Sequence, residues 1–471
     1  MGIDIWGRGS HGGGGFGSFK ALEHIDPQSM GLSVAVFGPA WSWESEEGKP
    51  GWNWWKWWQY EHLLWLGPLS NEEDSQIILP SATPRQGETP CEHGAFRPVS
   101  SFFSTKAPPN PNRVPLLISF CPGVGFNWFV GGANVMSHKT DGWTDIDKQT
   151  SLGNLLWPRP DVSWETIVYD EPVPLVSPAL DFDEAYNGGA SLALSISGSP
   201  SPEENTFLCV WIPVQSVSIT PSQSYTMSIV YKYTSDSGIL ELIPSAKLAM
   251  DGSIGETLPL AFSEVIQDEL AFGWSRVSVT FELPMDDKSS LDYLVHSGLV
   301  VTLLTENPQE PFEFTLRLGR LSISPSQPLD VVPYEPRLIW GDINFSSEND
   351  SELIEISWDA GVCFTQDAII NTVTIEDPNP PWLLDRRDTW YPGFAYFNVY
   401  ALSRSNDNVL KPEDATFIGT SGVDGFHDRL YIQRNGLPDA LRQGALRVYV
   451  QGVTDQGDIL DWSRCVFIDT D

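Results

Sequence analysis

From about Asp161 to Asp330 apolar and polar residues alternate with a period of two, in "SLALSIS", "FLCVWIPV", "SYTMSIVYKY", "RVSVTFELP" and "FEFTLRLGRLSI". Successive side chains of a strand point to opposite faces, so segments of this kind suit sheets with one face buried. Gly, Pro and Ser punctuate them, and helical periodicity is mostly lost. The pattern predicts a jelly-roll-like β-sandwich. "SISPSQPLDVVPYEP" (322–336) reads as a proline-rich linker. Beyond it, "LIEISWD", "YFNVYALS", "ATFIGTSG" and "LRVYVQGVTDQG" suit a smaller sandwich of fibronectin-like type.

The chain starts differently. Up to about Pro160, short apolar strands alternate with helical stretches, which suggests parallel β/α units. "GIDIW", "LSVAVFG" and "VPLLISFC" are strand-like, whereas "SFKALEHI" and "WNWWKWWQYEHLLWLG" (52–67) are helix-like. The expected organisation is therefore an α/β segment over residues 1–160, a sandwich over 161–335 and a second sandwich over 336–471. No short-period repeat is present.

The first strand runs into a glycine-rich loop containing G-x-G-x-x-G at Gly7, Gly9 and Gly12. A dinucleotide fold would need an acidic residue at the end of the next strand. Gly38 and Pro39 stand there instead, and the chain soon turns all-β. A barrel strand fits better. Gly2, Asp4 and Trp6 share one face of the first strand, and Ile3 and Ile5 share the other. Ser33, Ala35 and Phe37 oppose Leu32, Val34 and Val36 in the same way. Trp6 and Arg8 follow one strand end; Trp41, Trp43 and Glu44 follow the next. In a (β/α)8 TIM barrel the loops after the strands form the active face. Indole rings beside an Arg and carboxylates suit a neutral, hydroxyl-rich ligand, so Asp4, Trp6, Arg8, Trp41, Trp43 and Glu44 are the candidate substrate-binding residues. Each has a plainer alternative. Asp4 orients a sugar hydroxyl or is a hydrogen-bonded interior carboxylate. Arg8 binds substrate or pairs with Asp4 or Glu44, and Trp41 and Trp43 stack on sugar or pack in a core.

Composition excludes several classes. A net charge of −35 opposes binding of nucleic acid or anionic membranes by the chain as a whole. No apolar run reaches the roughly 18 residues of a membrane span. The start "GIDIWGRG" carries no secretory signal. The five cysteines (Cys91, Cys121, Cys209, Cys363 and Cys465) are scattered without C-x-x-C spacing, which argues against a zinc site and a disulfide framework and for a reducing, cytosolic setting. In that setting the sequons at Asn344 and Asn349 carry no meaning. His11 reads as an exposed loop residue, and His62, His93 and His427 form no metal-like spacing. No metal or other cofactor is expected, and nothing in the sequence fixes an oligomeric state. Of the 20 tryptophans, Trp41, Trp43, Trp52, Trp54, Trp55, Trp57, Trp58 and Trp65 crowd together, which suits aromatic packing.

"GIDIWGRGSHGGGGF", "KALEHI" and "LSVAVFGPAWSWE" resemble the later barrel strands of glycoside hydrolase family 85, the endo-β-N-acetylglucosaminidases that cut between the two core GlcNAc residues of N-glycans. "VPLLISFCPGVG" resembles the family's last barrel strand and its loop, and "DEAYNGGASL" (Asp183–Leu192) a signature of its β-sandwich domain. The resemblance covers roughly the whole chain and is most specific in residues 1–45 and at Asp183–Leu192. It implies a barrel followed by β-sandwich domains, and N-glycans or free oligosaccharides as partners in the cytosol. It also implies substrate-assisted retaining catalysis, in which a Glu protonates the leaving oxygen while an Asn orients the attacking acetamide of the substrate.

A complete barrel takes about 250 residues. Residues 1–160 hold only what resembles the last three strands, so the expected fold is an incomplete (β/α)8 TIM barrel followed by two β-sandwich domains. The family's catalytic Asn-x-Glu belongs to an earlier strand. Asn71-Glu72-Glu73 spells it in the polar stretch "PLSNEEDSQ", where a helix cap or solvated loop fits better. No catalytic residue is assigned. The alternative is a non-catalytic glycan-binding or scaffold protein. Three barrel strands cannot close and leave an edge and an apolar face exposed, so low stability or a partner is expected for that segment.

Overall fold

In a computed structural model, the described residues are 1–68, 77–80, 91–103, 107–112, 114–138, 142–154, 162–165, 173–198, 207–235, 238–249, 257–263, 265–283, 292–305, 310–326, 336–347, 353–362, 394–404, 410–422 and 428–470. The chain divides into two compact units, Met1–Ala107 and Pro108–Asp471. Strands predominate overall. Asn71-Glu72-Glu73, Cys363 and His427 lie outside the described residues.

In the first unit, Gly2–Asp4 and Ala35–Phe37 form a two-stranded parallel sheet, with Gly2 opposite Ala35 and Asp4 opposite Phe37. The alternation read from sequence sets their faces. Ile3 and Ile5 are buried with Phe16, Phe19 and Leu22, and Val34 and Val36 pack against the same cluster. The other face stays open, with Phe37 65% exposed. Phe19–Ile25 is the helix between the two strands. Trp54–Trp65 is a second helix, started by Asn53, whose Oδ1 accepts from the Lys56 N–H at 3.0 Å. That bond satisfies one of the amides left unpaired at a helix start. Leu63 and Leu64 carry this helix into the core.

The second unit is built on two antiparallel sheets. Ile266–Glu269, Ser275–Glu282, Ser224–Ser235, Phe312–Pro325, Ser191–Gly198 and Leu175–Asp181 follow one another in the first sheet. Thr257–Pro259, Gly238–Ala249, Tyr293–Thr305, Phe207–Ile219 and Ser163–Trp164 form the second. One core lies between them. Leu192, Leu194, Ile196, Met227, Ile229, Phe314 and Leu316 enter it from one sheet, and Val210, Ile212, Leu240, Leu242, Val295 and Leu299 from the other. Each such side chain contributes about 1.5–3 kcal/mol on burial.

Leu116–Ile118, read from sequence as a late barrel strand, joins this first sheet. It pairs antiparallel with Phe312–Pro325, Leu116 opposite Ile323 and Ile118 opposite Leu321. Ile118 and Phe120 are fully buried in the same core. The division between units therefore falls at 107/108, well before the change of sequence pattern near residue 160. A short apolar run cannot by itself distinguish a parallel barrel partner from an antiparallel one, and here the larger apolar surface takes it.

Two further sheets follow. Pro336–Ser347, Leu353–Val362 and Asp428–Gln433 form one; Thr416–Gly422, Phe394–Ser403, Leu446–Thr454 and Val466–Asp469 form the other. Ile354, Ile356 and Trp358 meet Phe397, Val399, Val448 and Val450 in a shared core. At the last strand Arg447 holds Asp469 with Nε and Nη2 at 2.6 and 2.7 Å. Those hydrogen bonds keep the Asp469 carboxyl below its ordinary range. A depressed carboxyl stabilises the fold above its unfolded pKa, and the contribution is lost as pH falls through the folded value. Asp469→Asn should therefore be less stable than the parent by about 0.5–1 kcal/mol at neutral pH, with the difference shrinking in acid as the folded-state carboxyl takes up its proton. Urea midpoints across the acid range check this, and a difference that does not shrink as pH falls would assign the effect to packing.

Candidate active site and its glycine loop

The glycine loop folds back onto the strand that precedes it. The Gly7 N–H donates to the Asp4 carbonyl at 2.9 Å, and the Gly15 N–H to the Ile5 carbonyl at 2.6 Å. Gly14 has φ 73° and ψ −167°, a region open essentially only to glycine. A Cβ there would lie 2.3 Å from both the Gly7 nitrogen and the Ile5 oxygen. The glycines thus let two backbone segments touch. No phosphate cradle is needed to explain them.

Beside this loop, at the C-terminal ends of the two parallel strands, several candidate residues converge. Arg8 Nε donates to Asp4 Oδ2 at 2.8 Å, and the Trp6 N–H to Asp4 Oδ1 at 3.0 Å. The Asp4 N–H donates to Ser10 Oγ at 2.7 Å. The Arg8 hydrogen bond holds the Asp4 carboxyl below the usual carboxylate range. Asp4 is therefore an anion with both oxygens engaged. Trp6 lies across Gly38, where a Cβ would come within 2.8 Å of the indole, and is 39% exposed. The Arg8 guanidinium sits 5.4 Å from the centre of the Phe37 ring. A half-open indole, a ring and an ion pair thus share the open face of the sheet.

Trp41, Trp43 and Glu44 do not join them as equals. Trp41 stacks on Tyr60 at 5.4 Å and meets Phe16 edge-on at 5.7 Å. It also covers Gly15, where a Cβ would strike the indole at 2.5 Å. Burial pushes the Tyr60 phenol up to about 12, with Glu46 adding to the shift. Trp43 packs against Trp52 and Trp57, and Glu44 is exposed at the end of the Trp41–Glu44 turn. The packing alternative weighed for the two indoles accounts for these contacts.

One cluster departs from the sequence expectation. His11, His24, Cys91 and His93 bring one donor atom each to within 4.8 Å of one another. His93 Nε2 is 2.9 Å from His11 Nε2 and 3.0 Å from Cys91 Sγ. Cys91 Sγ is 3.1 Å from His11 Nε2 and 3.4 Å from His24 Nε2. No spacing along the chain announces this convergence, which draws on His93 and not on His62. His11 is half-buried within the cluster. The donors come from three separate segments, and only the local triplet Cys91-Glu92-His93 hinted at them.

The "DEAYNGGASL" stretch lies in the second unit and has a structural role. The Phe129 and Gly188 backbones exchange hydrogen bonds at 2.9 and 3.0 Å. Asn187 Oδ1 accepts from the Gly131 N–H at 3.0 Å, and its Nδ2 donates to the Gly457 carbonyl at 3.2 Å. Gly189 lies under Trp143, 2.3 Å from where a Cβ would stand. A cavity alongside is lined by Trp128, Lys148, Asn187, Arg320, Tyr396 and Gly457. Its cations are already paired, Lys148 with Asp145 at 3.3 Å and Arg320 with Asp458 at 2.9 Å. This stretch joins the large core to the C-terminal sheets.

Residues 1–128 match the family model of glycosyl hydrolase family 85. The resemblance carried by the glycine loop and its flanking strands stands over that segment. Among solved structures, the glycoside hydrolase domain of Endo-D from Streptococcus pneumoniae R6 is similar at 14% identity, with a TM-score of 0.45 over 93% of this chain and 53% of that one. The chain thus spans about half the length of that structure. A CBM4 structure is similar at 14% identity, TM-score 0.19, over 37% of this chain and 100% of that one. A carbohydrate-binding module from the β-sandwich super family is similar at 14% identity, TM-score 0.23, over 36% and 57%. No curated protein sequence matches. No described helix is long and apolar enough to cross a membrane.

Proposed function

We propose that the chain serves the chemistry of an endo-β-N-acetylglucosaminidase of family 85, acting on the GlcNAc-β1,4-GlcNAc core of N-glycans or free oligosaccharides in the cytosol. The observation that carries this is the Asp4–Arg8 pair beside the half-exposed Trp6, at the ends of two parallel strands inside the family-matched segment. Aromatic faces take the apolar side of a pyranose, and an engaged carboxylate–guanidinium pair offers fixed hydrogen-bond partners to its hydroxyls. In this proposal the two parallel strands are the sixth and seventh of a barrel. The sheets sharing the large core are a jelly-roll-like sandwich, and the C-terminal sheets are a fibronectin-like one. The described residues supply sugar binding. Protonation of the leaving oxygen in the substrate-assisted retaining scheme belongs to an Asn-x-Glu that no described strand presents.

The test pairs binding with turnover. A labelled high-mannose N-glycan is titrated calorimetrically with the full chain and then assayed for cleavage by chromatography. We expect binding without cleavage, and at least a tenfold loss of affinity in Trp6→Ala, about 1.4 kcal/mol. Stability of that variant should fall by only about 1 kcal/mol, because the indole is half-exposed and packs chiefly across Gly38. Unchanged affinity in Trp6→Ala would remove this face from the proposal. Cleavage by the chain would place the acid among its own residues.

A further inference from the structure

We propose that His11, His24, Cys91 and His93 form a structural zinc site that fastens the glycine loop to the rest of the N-terminal unit. The four donors are imidazole nitrogens and a thiol sulfur, the ligand set that zinc takes in tetrahedral sites. A tetrahedron with Zn–N near 2.0–2.1 Å and Zn–S near 2.3 Å places its donors about 3.3–3.6 Å apart. The closest separations here run from 2.9 to 3.4 Å, and all lie within 4.8 Å. For the four short separations, movements of about half an ångström or less convert one arrangement into the other; the two remaining pairs, His24 with His11 and with His93, lie within 4.8 Å and close by a turn of the His24 ring. Magnesium and calcium are poor occupants, since they take oxygen ligands.

The surroundings support the same conclusion. His93 turns its other nitrogen, Nδ1, to Glu23 Oε2 at 2.7 Å, and Arg97 lies 3.9 Å from the second Glu23 oxygen. A carboxylate behind a ligating histidine fixes its ring and tautomer and raises its basicity, and such partners commonly accompany metal-bound histidines. The His93 side chain is only 9% exposed. Its ring meets Phe19 edge-on at 6.3 Å, and Phe19 meets Phe96 at 5.9 Å. The cluster is therefore seated on the apolar core.

All four positions are filled by protein, so a water or substrate has no open place on the ion, and the role is structural. His11 comes from the glycine loop, His24 from the last turn of the Phe19–Ile25 helix, and Cys91 and His93 from the segment leading to Val99–Phe102. Ligation pins all three together. It also restrains the loop that presents Arg8 and Trp6, independently of what that face binds. On binding, the Cys91 thiol gives up its proton and the sulfur bonds as thiolate, so affinity falls in acid.

The decisive experiment uses the full chain without an affinity tag. Metal content is measured as purified, and the metal-stripped chain is titrated with cobalt(II). We expect about one zinc per chain, and a cobalt spectrum with intense tetrahedral bands and a thiolate-to-metal charge-transfer band saturating at about one equivalent, bleached by zinc. Cys91→Ser should lose the charge-transfer band, and Cys209→Ser should keep it. Stripping should lower the thermal midpoint reported by the N-terminal tryptophans. Copper in place of zinc, octahedral cobalt bands, or a charge-transfer band that survives Cys91→Ser would each overturn the assignment. The cobalt spectrum of the unaltered chain decides the case even where a variant misfolds.

Discussion

Gly14→Ala should unfold the Met1–Ala107 unit and leave the transition of the second unit in place. The new Cβ would lie 2.3 Å from two backbone atoms, the Gly7 nitrogen and the Ile5 oxygen, and 2.7 Å from the Gly7 Cα. Backbone cannot move aside as a flexible side chain can. The conformation itself, φ 73° and ψ −167°, costs a residue other than glycine about 1–3 kcal/mol. Relief of the clash would have to part the loop from the strand. That would break the 2.6 Å hydrogen bond from Gly15 to Ile5 and lift Trp41 from its place over Gly15. The total should exceed about 4 kcal/mol, a large share of the stability of a unit this small. Gly31→Ala is the control. Gly31 also has positive φ, 62° with ψ 34°, but nothing lies within 4 Å of its Cβ position. It should cost about 1 kcal/mol. Urea unfolding followed by tryptophan fluorescence separates the two, because Trp41, Trp43, Trp52 and Trp57 report on the first unit. Equal effects from both substitutions would show that the loop yields, and that its glycines serve only φ.

This contrast bears on what the sequence could convey. Two-residue alternation made Ile3 and Ile5 legible as a buried face, and Asp4 and Trp6 as an open one, because the signal is local. It likewise made the strands around Leu192–Ile196 and Phe314–Leu318 legible, where burial follows the pleat. The Asp4–Arg8 pair was within reach for the same reason, since four residues of loop suffice to join them. Leu116–Ile118 was not assigned to its partner, because the choice of partner depends on which apolar surface is larger. The His11–His24–Cys91–His93 cluster is not legible for a related reason. His11 and His93 meet across 82 positions, and no spacing rule spans three unrelated segments. Trp41 shows the limit from the other side. Its aromatic character was plain, but whether a ring stacks on sugar or on Tyr60 is decided only by what stands beneath it.

Trp128→Ala should cost about 3–5 kcal/mol, in the range of buried aromatic truncations, and should split the unfolding of the second unit into two steps. Trp128 is 2% exposed and belongs to a cluster with Tyr400, Phe417 and Tyr449. It meets Trp143 at 5.0 Å and Tyr396 at 6.0 Å, both edge-on. It lies on the short hairpin of Asn127–Val130 and Ala133–Ser137, and the position of that hairpin explains the second effect. Through Phe129 and Gly131 its backbone is hydrogen-bonded to the Gly188 and Asn187 region, which is continuous with the large core through Ser191–Gly198. Through Trp128 its side chains enter the C-terminal sheet beside Tyr396 and Tyr400. The hairpin is thus a wedge with polar attachment on one side and apolar attachment on the other. Removing the indole takes away the buried anchor of the apolar side, leaving the partly buried Val130, Val135 and Met136, and leaves the polar side intact. Burial also pushes the phenol of Tyr400, a buried member of the same cluster, well up, and a cavity opening beside it would admit water and let that phenol return toward its ordinary value. Calorimetry should show one transition for this unit in the parent and two in the variant, the earlier belonging to the C-terminal sheets. An absorbance titration of the tyrosines should show one more phenol ionising in the ordinary alkaline range. A single, merely lowered transition would mean that the Asn187 hydrogen bonds to Gly131 and Gly457, with Arg320 on Asp458, couple the two cores without the indole.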